Sequence, residues 1–324
     1  MNLDQLIIIL ATAIASATPI VFAVIGETIS ERAGVINLSA EGTILFAAMA
    51  GFAVAHLSDS LWLGFAAAAI AGILIALIVA FGAITLRQSQ IAIGFVLALL
   101  FTDLSSFIGN PFVRIPGPTV PAFPIPILKD IPILGRLLFD SDLLVYLSYA
   151  LIVATWFFFY RTSAGLTMRA IGEQPNAAFA RGANVIRLRY LYVLIGGALM
   201  GIAGAAFSLD FKAGWSYRHT GGYGWIALAI VIFGGWNPLR AALGAYFFGI
   251  LQSLASVAQD QFPGVPTQVL TVLPFVLMIL VLVLTSANWL DRLLAFLPSD
   301  TRRGVLRTLR AAPPAALGQP FVQD

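Results

Sequence analysis

Residues equipped for polar chemistry are scarce in this chain and fall in four places. Asn37, Ser39 and Glu41 set a carboxamide, a hydroxyl and a carboxylate within five positions of a largely apolar sequence. Asp103 stands alone in an apolar run, with Thr102, Ser105 and Ser106 close enough in sequence to help solvate it. Trp225 follows a glycine pair, Gly221 and Gly222, at the start of a short apolar stretch. The fourth place is Arg161 to Arg189, where Arg161, Arg169, Arg181, Arg187 and Arg189 surround one acid, Glu173. Catalytic and metal chemistry find little support. Cysteine is absent and only His56 and His219 are present, so thiolate sites are excluded and a histidine-rich metal site is not expected. No H-E-x-x-H helix and no G-x-x-x-x-G-K-[ST] phosphate loop occurs. What remains is the chemistry of lining and docking. A carboxylate at bilayer depth costs several kcal/mol unless paired or hydrated, so Asp103 is expected to face protein, a water-filled path or the outer interface.

The elements that hold these residues are hydrophobic helices. Of 324 residues, 60% are hydrophobic and 10% charged, against about 25% charged in soluble domains. Crossing a hydrocarbon core of about 30 Å takes about 20 apolar residues. Candidate spans are Leu3 to Ile25, Ile44 to Leu57, Leu61 to Leu86, Ile91 to Ile108, Leu143 to Tyr160, Leu188 to Leu209, Tyr223 to Trp236, Leu239 to Ala258 and Pro266 to Leu284. The second and seventh are short, and the second is expected to borrow from the segment before it. The run from Leu6 lacks a basic region ahead of it and reads as a retained helix, not a cleaved signal. The net charge of +3 is distributed beside the hydrophobic segments, the pattern of membrane orientation and not of nucleic-acid binding. With nine spans alternating and the Arg-rich loop and tail in the cytoplasm, thirteen basic residues lie inside and five outside (Arg114, Lys129, Arg136, Lys212, Arg218). The reading is an all-α, polytopic transmembrane helical bundle of about nine spans, N-terminus outside and C-terminus cytoplasmic. Residues 1–290 form the membrane domain, and 291–324 form a cytoplasmic tail expected to lack structure beyond Ala312.

Three connections carry more information than their length. The stretch from Asn110 to Asp142 holds seven prolines and cannot be one regular helix; it is either a cap over an external vestibule or a passive connector. The segments 31–51 and 221–249 are glycine-rich and interrupted, as segments lining a solute path are, although glycines also permit close helix packing. For Gly196 to Gly204 the packing role is favoured. The stretch from Gly165 to Arg189 is too polar to span; Pro175 is placed to start a second short helix, with Asn176 and Gly182 as caps or terminators. The two helices, joined near Gly172, would present Leu166, Met168, Ile171 and Phe179 as a contact surface, or would lie on anionic lipid through their arginines.

The pattern G-L-x-x-R-A-x-G-x-x-P-x-A-A over 165–178 resembles the coupling-helix loop of ABC importer permeases in the branch that serves branched-chain amino acids, ribose, other simple sugars and nucleosides. ERAGVINLSAEG (31–42) resembles the N-terminal signature of the nucleoside and simple-sugar members, and IVIFGGWNPLRAALGAYFFGILQ (230–252) resembles the family's late glycine-rich segment. Ser39, Ala40 and Gln174 depart from the residues expected there. The resemblance implies a permease in the bacterial inner membrane that carries no cofactor, ATP being bound by a partner ATPase. It implies a second permease subunit, identical or homologous, and a periplasmic or lipid-anchored solute-binding protein. It also implies ATPase coupling through Gly165, Leu166, Arg169, Ala170, Gly172, Glu173, Pro175, Ala178 and Gly182. Candidates along the substrate path are Asn37, Ser39, Glu41, Asp103 and Trp225. The rival reading is an ion-coupled carrier working alone, for which Asp103 is the one clear acid.

Overall fold

A computed structural model of the chain describes residues 3–218, 220–261, 264–286 and 312–322. His219 and the tail arginines from Arg292 to Arg310 lie outside the described residues. Eleven α-helices account for most of what is described: α1 (Leu3–Arg32), α2 (Ala40–Ser58), α3 (Leu61–Ala80), α4 (Gln90–Gly109), α5 (Leu143–Arg161), α6 (Ser163–Glu173), α7 (Pro175–Ala180), α8 (Val185–Ala206), α9 (Tyr223–Phe233), α10 (Pro238–Gln261) and α11 (Thr267–Ser286). Among the described residues the β-structure is limited to two isolated bridges, Val113 with Trp215 and Ala122 with Asp142.

Among the described residues, seven helices are long and apolar enough to cross a membrane: Asp4–Arg32, Ala40–Ser58, Leu61–Thr85, Gln90–Phe112, Leu143–Arg161, Val185–Phe211 and Pro238–Gln259. The expected count was nine. Outside those seven are two shorter apolar stretches of the described residues, Tyr223–Phe233 and Gln268–Leu280, the latter within α11. At 1.5 Å per residue the first reaches only about 16 Å, half a hydrocarbon core. The first span, expected to stop near Ile25, continues helical to Arg32. The second starts at Ala40, drawing on the segment before it as expected.

α8 is the central post of the bundle, and its glycines make it so. A Cβ on Gly196 would stand 2.6 Å from the carbonyl oxygen of Gly26 on α1, and one on Gly204 2.5 Å from that of Ile44 on α2. Gly197 and Gly201 meet the backbone of α3 at Gly72 and Ala68 in the same way. With small residues on one ridge, three helices approach α8 at backbone contact, where dispersion and not the hydrophobic effect holds helices together in lipid. The favoured packing role of this ridge is what the structure displays.

The proline-rich connection is folded and fixed to the bundle. Phe123 N donates to Ser141 O and Ile125 N to Phe139 O, both at 3.0 Å, folding the loop back on itself. Val120 N donates to Leu209 O at 2.9 Å and Arg114 N to Trp215 O at 3.0 Å, which fixes the loop to the end of α8 and the chain beyond it.

Candidate functional site

Glu41 is the centre of the first site. It lies in the first turn of α2, and its position in the bundle follows from the connector before it. Arg189, near the start of α8, reaches Gly34 of that connector, whereas Asn37 Nδ2 contacts Met200 Sδ at 3.7 Å. Met200 is about 16 Å further along α8. Residues 33–39 therefore climb back alongside α1 and α8, and α2 starts deep within the bundle. The climb is held from α1: Asn37 N donates to Glu27 Oε1 at 3.1 Å. Ser39 Oγ donates to Asn37 Oδ1 at 2.5 Å and pairs with Thr43 Oγ1 at 3.0 Å. All these groups are buried.

The second half-length element meets the first at Glu41. After α8 the chain returns through 212–222, turned into α9 by Gly222 at φ 95°, a conformation that a side chain would strain. Thr220 Oγ1 donates to Glu41 Oε1 at 2.6 Å, Gly222 N to the same oxygen at 3.0 Å, and Gly224 N to Oε2 at 2.7 Å. The unpaired N–H groups that open α9 thus find a carboxylate nearly 180 residues away in sequence, which also complements the positive end of the helix. Gly224 sits against the Glu41 backbone so closely that a Cβ has no room. Trp225, half exposed, tilts toward Phe95 of α4 with ring centroids 6.4 Å apart. Beyond the clasp, Tyr223 accepts from Gln252 Nε2 and lies beneath Lys212 Nζ, 5.9 Å from the ring centre.

Four of the five path candidates (Asn37, Ser39, Glu41, Trp225) are brought to this junction or beside it, and Asp103 is not. Asp103 is exposed on α4. The hydroxyls expected to solvate it bond to their own helix: Thr102 Oγ1 donates to Ala98 O at 2.7 Å, and Ser105 and Ser106 donate to Thr102 O. Residues that drew no functional reading of their own from the sequence are Glu27, Thr220 and Trp236. The spacing of Glu27 and Glu31, one helical turn apart on an apolar helix, is the signal that would have found the first.

The other end of α9 joins this junction to the second site. Trp236 Nε1 donates to Glu31 Oε2, and Arg32 Nε donates to Trp236 O at 2.9 Å. Arg32 Nη1 then pairs with Glu173 Oε1 at 3.4 Å. Glu173 ends α6, which Thr162 starts by accepting from Gly165 N at 3.0 Å. Gln174, held at φ −143° ahead of Pro175, breaks the helix, so the joint lies there and not at Gly172. Pro175 opens α7, as expected, and Gly182 (φ 89°) follows its end.

The expected contact surface of α6 and α7 divides in two. Met168 and Ile171 are fully buried in the core of the bundle, while Leu166 is 60% exposed and Phe179 38%. Gly165 and Gly172 also face inward, against the backbone of Phe158 and Arg32. Ala178 is buried, and Ala170 is partly buried against the core. Arg169 lies over the Tyr160 ring, 5.1 Å from its centre. The inward set fixes the loop to the bundle and leaves Leu166 exposed and Phe179 partly so.

The tail beyond Ala312, expected to lack structure, packs on this loop through residues 312–322, with Ala316 and Phe321 buried. Prolines exclude helix and sheet there but not docking by way of the remaining backbone N–H groups.

Residues 9–282 match the family described as branched-chain amino acid transport system / permease component. A putative glucose ABC transporter permease protein of Haloferax volcanii is 40% identical over 256 residues, 78% of each chain. A nucleoside ABC transporter permease protein of Lactococcus lactis is 32% identical over 87% of this chain and 93% of its own. A guanosine ABC transporter permease protein of Bacillus subtilis is 33% identical over the same shares. No solved structure gives a significant match to the chain.

Proposed function

The chain belongs to the family of branched-chain amino acid transport system permease components, and from that premise we propose that it is the membrane-spanning subunit of an ABC importer for nucleosides or simple sugars. The solute class rests on the relatives, whose names give glucose, guanosine and nucleosides. The path runs past the junction of α2 and α9, where two helices start inside the bundle and backbone polarity is available at depth. Glu41 serves as the strut of that junction, since three donors already occupy its carboxylate. Solute is met by groups beside it, Trp225 among them.

The cytoplasm lies on the side of α6 and α7, by the thirteen-to-five division of basic residues. α9 ends at Arg32, so the return from α8 and the half-length α9 together make one further crossing and α11 another, which puts the N-terminus outside. A separate ATPase docks on α6 and α7 and closes on ATP, moving the loop and rocking the bundle between inward-open and outward-open states. A second permease and an external solute-binding protein complete the complex. One observation carries the docking role: Leu166 stands out from a short helix whose other large apolar residues, Met168 and Ile171, are buried. Replacing Leu166 by Lys strengthens attraction to anionic lipid and removes an apolar contact, so the lipid-surface and docking readings give opposite outcomes. Loss of ATPase co-purification with normal membrane insertion is expected. Full retention of the ATPase overturns the docking role.

A further inference from the structure

The segment 312–322 lies beyond the residues that match the family, and nothing in the importer reading uses it. It joins elements that are distant in sequence. Ala315 N donates to Glu173 Oε2 at 3.1 Å and Ala316 N to Gly172 O at 2.9 Å, both at the end of α6. Gly318 N donates to Gly34 O at 3.1 Å, on the α1–α2 connector. Arg189 Nη1, on α8, donates to Gln319 O at 2.9 Å. The Phe321 ring packs on Phe179 of α7, with centroids 5.8 Å apart.

Three features make this more than a tail at rest on a surface. Arg189 is 2% exposed, and its Nε and Nη2 lack hydrogen-bond partners; Gln319 O is the acceptor that the geometry gives this guanidinium. Gly318 takes φ 76°, the turn that carries its N–H to Gly34. The donors to Gly172 and Gly34 are two residues apart, a chain length of at most about 7 Å. The loop and the connector are thereby held together by backbone. Their side-chain link, Arg32 with Glu173, is partly exposed, and ion pairs of that kind hold weakly.

We propose that residues 312–322 are a strap that ties the α6–α7 loop to the α1–α2 connector, so that a displacement of the loop is delivered to Asn37, Ser39 and the Glu41 junction. Ala316, Gly318 and Arg189 are its positioning residues. The inference rests on the reading of α6–α7 as the ATPase docking element. A loop pulled by a partner moves the path only if it is fastened to an element that enters the path, and 33–39 is that element.

The test uses the complete transporter in vesicles, with solute uptake and ATP hydrolysis measured together. A chain ending at residue 311 and the variants Ala316→Pro and Ala316→Gly are compared with the unaltered chain. Proline removes the N–H that meets Gly172 O; glycine keeps it and loses only a methyl group. The truncated chain and Ala316→Pro are expected to retain the ATPase and its hydrolysis yet carry clearly less solute per ATP than the unaltered chain. Ala316→Gly is expected to match the unaltered chain. Equal coupling in Ala316→Pro and Ala316→Gly, or full coupling after truncation, overturns the strap. Loss of the ATPase from the truncated chain alone also overturns it, by making the segment a docking element. Failure of the unaltered chain to hold the ATPase is a different result, which removes the docking reading itself.

Discussion

Replacement of Glu41 by Gln changes one atom type at the junction of α2 and α9, and its cost can be worked from the three hydrogen bonds. The carboxylate accepts from Thr220 Oγ1, Gly222 N and Gly224 N at 2.6, 3.0 and 2.7 Å. In the amide one oxygen remains an acceptor and keeps Thr220 and Gly222. The other position becomes an NH2 group facing the Gly224 N–H, donor against donor. Leaving that buried N–H unsatisfied costs about 1–3 kcal/mol, and losing a negative charge at the start of α9 costs about 0.3–1 kcal/mol more. A total of about 1–4 kcal/mol follows, enough to loosen a helix start held from one side. Glu41→Ala loses all three bonds and should cost more, and Thr220→Val loses one and should cost less. The assay is the thermal midpoint of the purified complex, read beside solute uptake. The expected order of loss is Glu41→Ala, then Glu41→Gln, then Thr220→Val, with ATPase co-purification unchanged in all three. A Glu41→Gln protein with the midpoint and uptake of the unaltered chain would refute the clasp.

Three further outcomes follow from the same structure. Gly201→Ala puts a Cβ into the Ala68 carbonyl, where backbone cannot give, so a loss of about 1–3 kcal/mol or more is expected; Gly264→Ala, with nothing near, is the control, and equal thermal midpoints would refute the close packing of α3 on α8. Asp103→Asn, on an exposed position of α4, should leave transport within about twofold, as surface changes usually do; abolished uptake in an assembled complex would give that carboxylate a direct role. Because the chain has no cysteine, single cysteines replacing Asp4 and Arg181 report their sides cleanly. Impermeant reagent is expected to label the first from outside and the second from inside, and labelling of both from one side would remove a crossing.

Most helices and the two short helices of the α6–α7 loop were legible because they rest on local chemistry. Runs of apolar residues and sparse charge make membrane helices whatever they pack against, and Pro175 opens a helix wherever it is placed after an extended residue. The small-residue ridge from Gly196 to Gly204 announced close approach through its spacing alone. Depth and partnership were not legible. Periodicity gives the length of Tyr223–Phe233 but not that it starts at Glu41 and ends at Arg32. That follows only when the connector 33–39 climbs beside α8 and puts a carboxylate in front of the Gly222 and Gly224 amides. The same holds for Asp103 and Glu27, two acids in apolar helices with opposite outcomes. One is exposed on α4 while the other accepts from the backbone of Asn37 in the core. Sequence fixes that a buried carboxylate must find donors, since desolvation is costly; which donors it finds is decided by helices brought together from opposite ends of the chain.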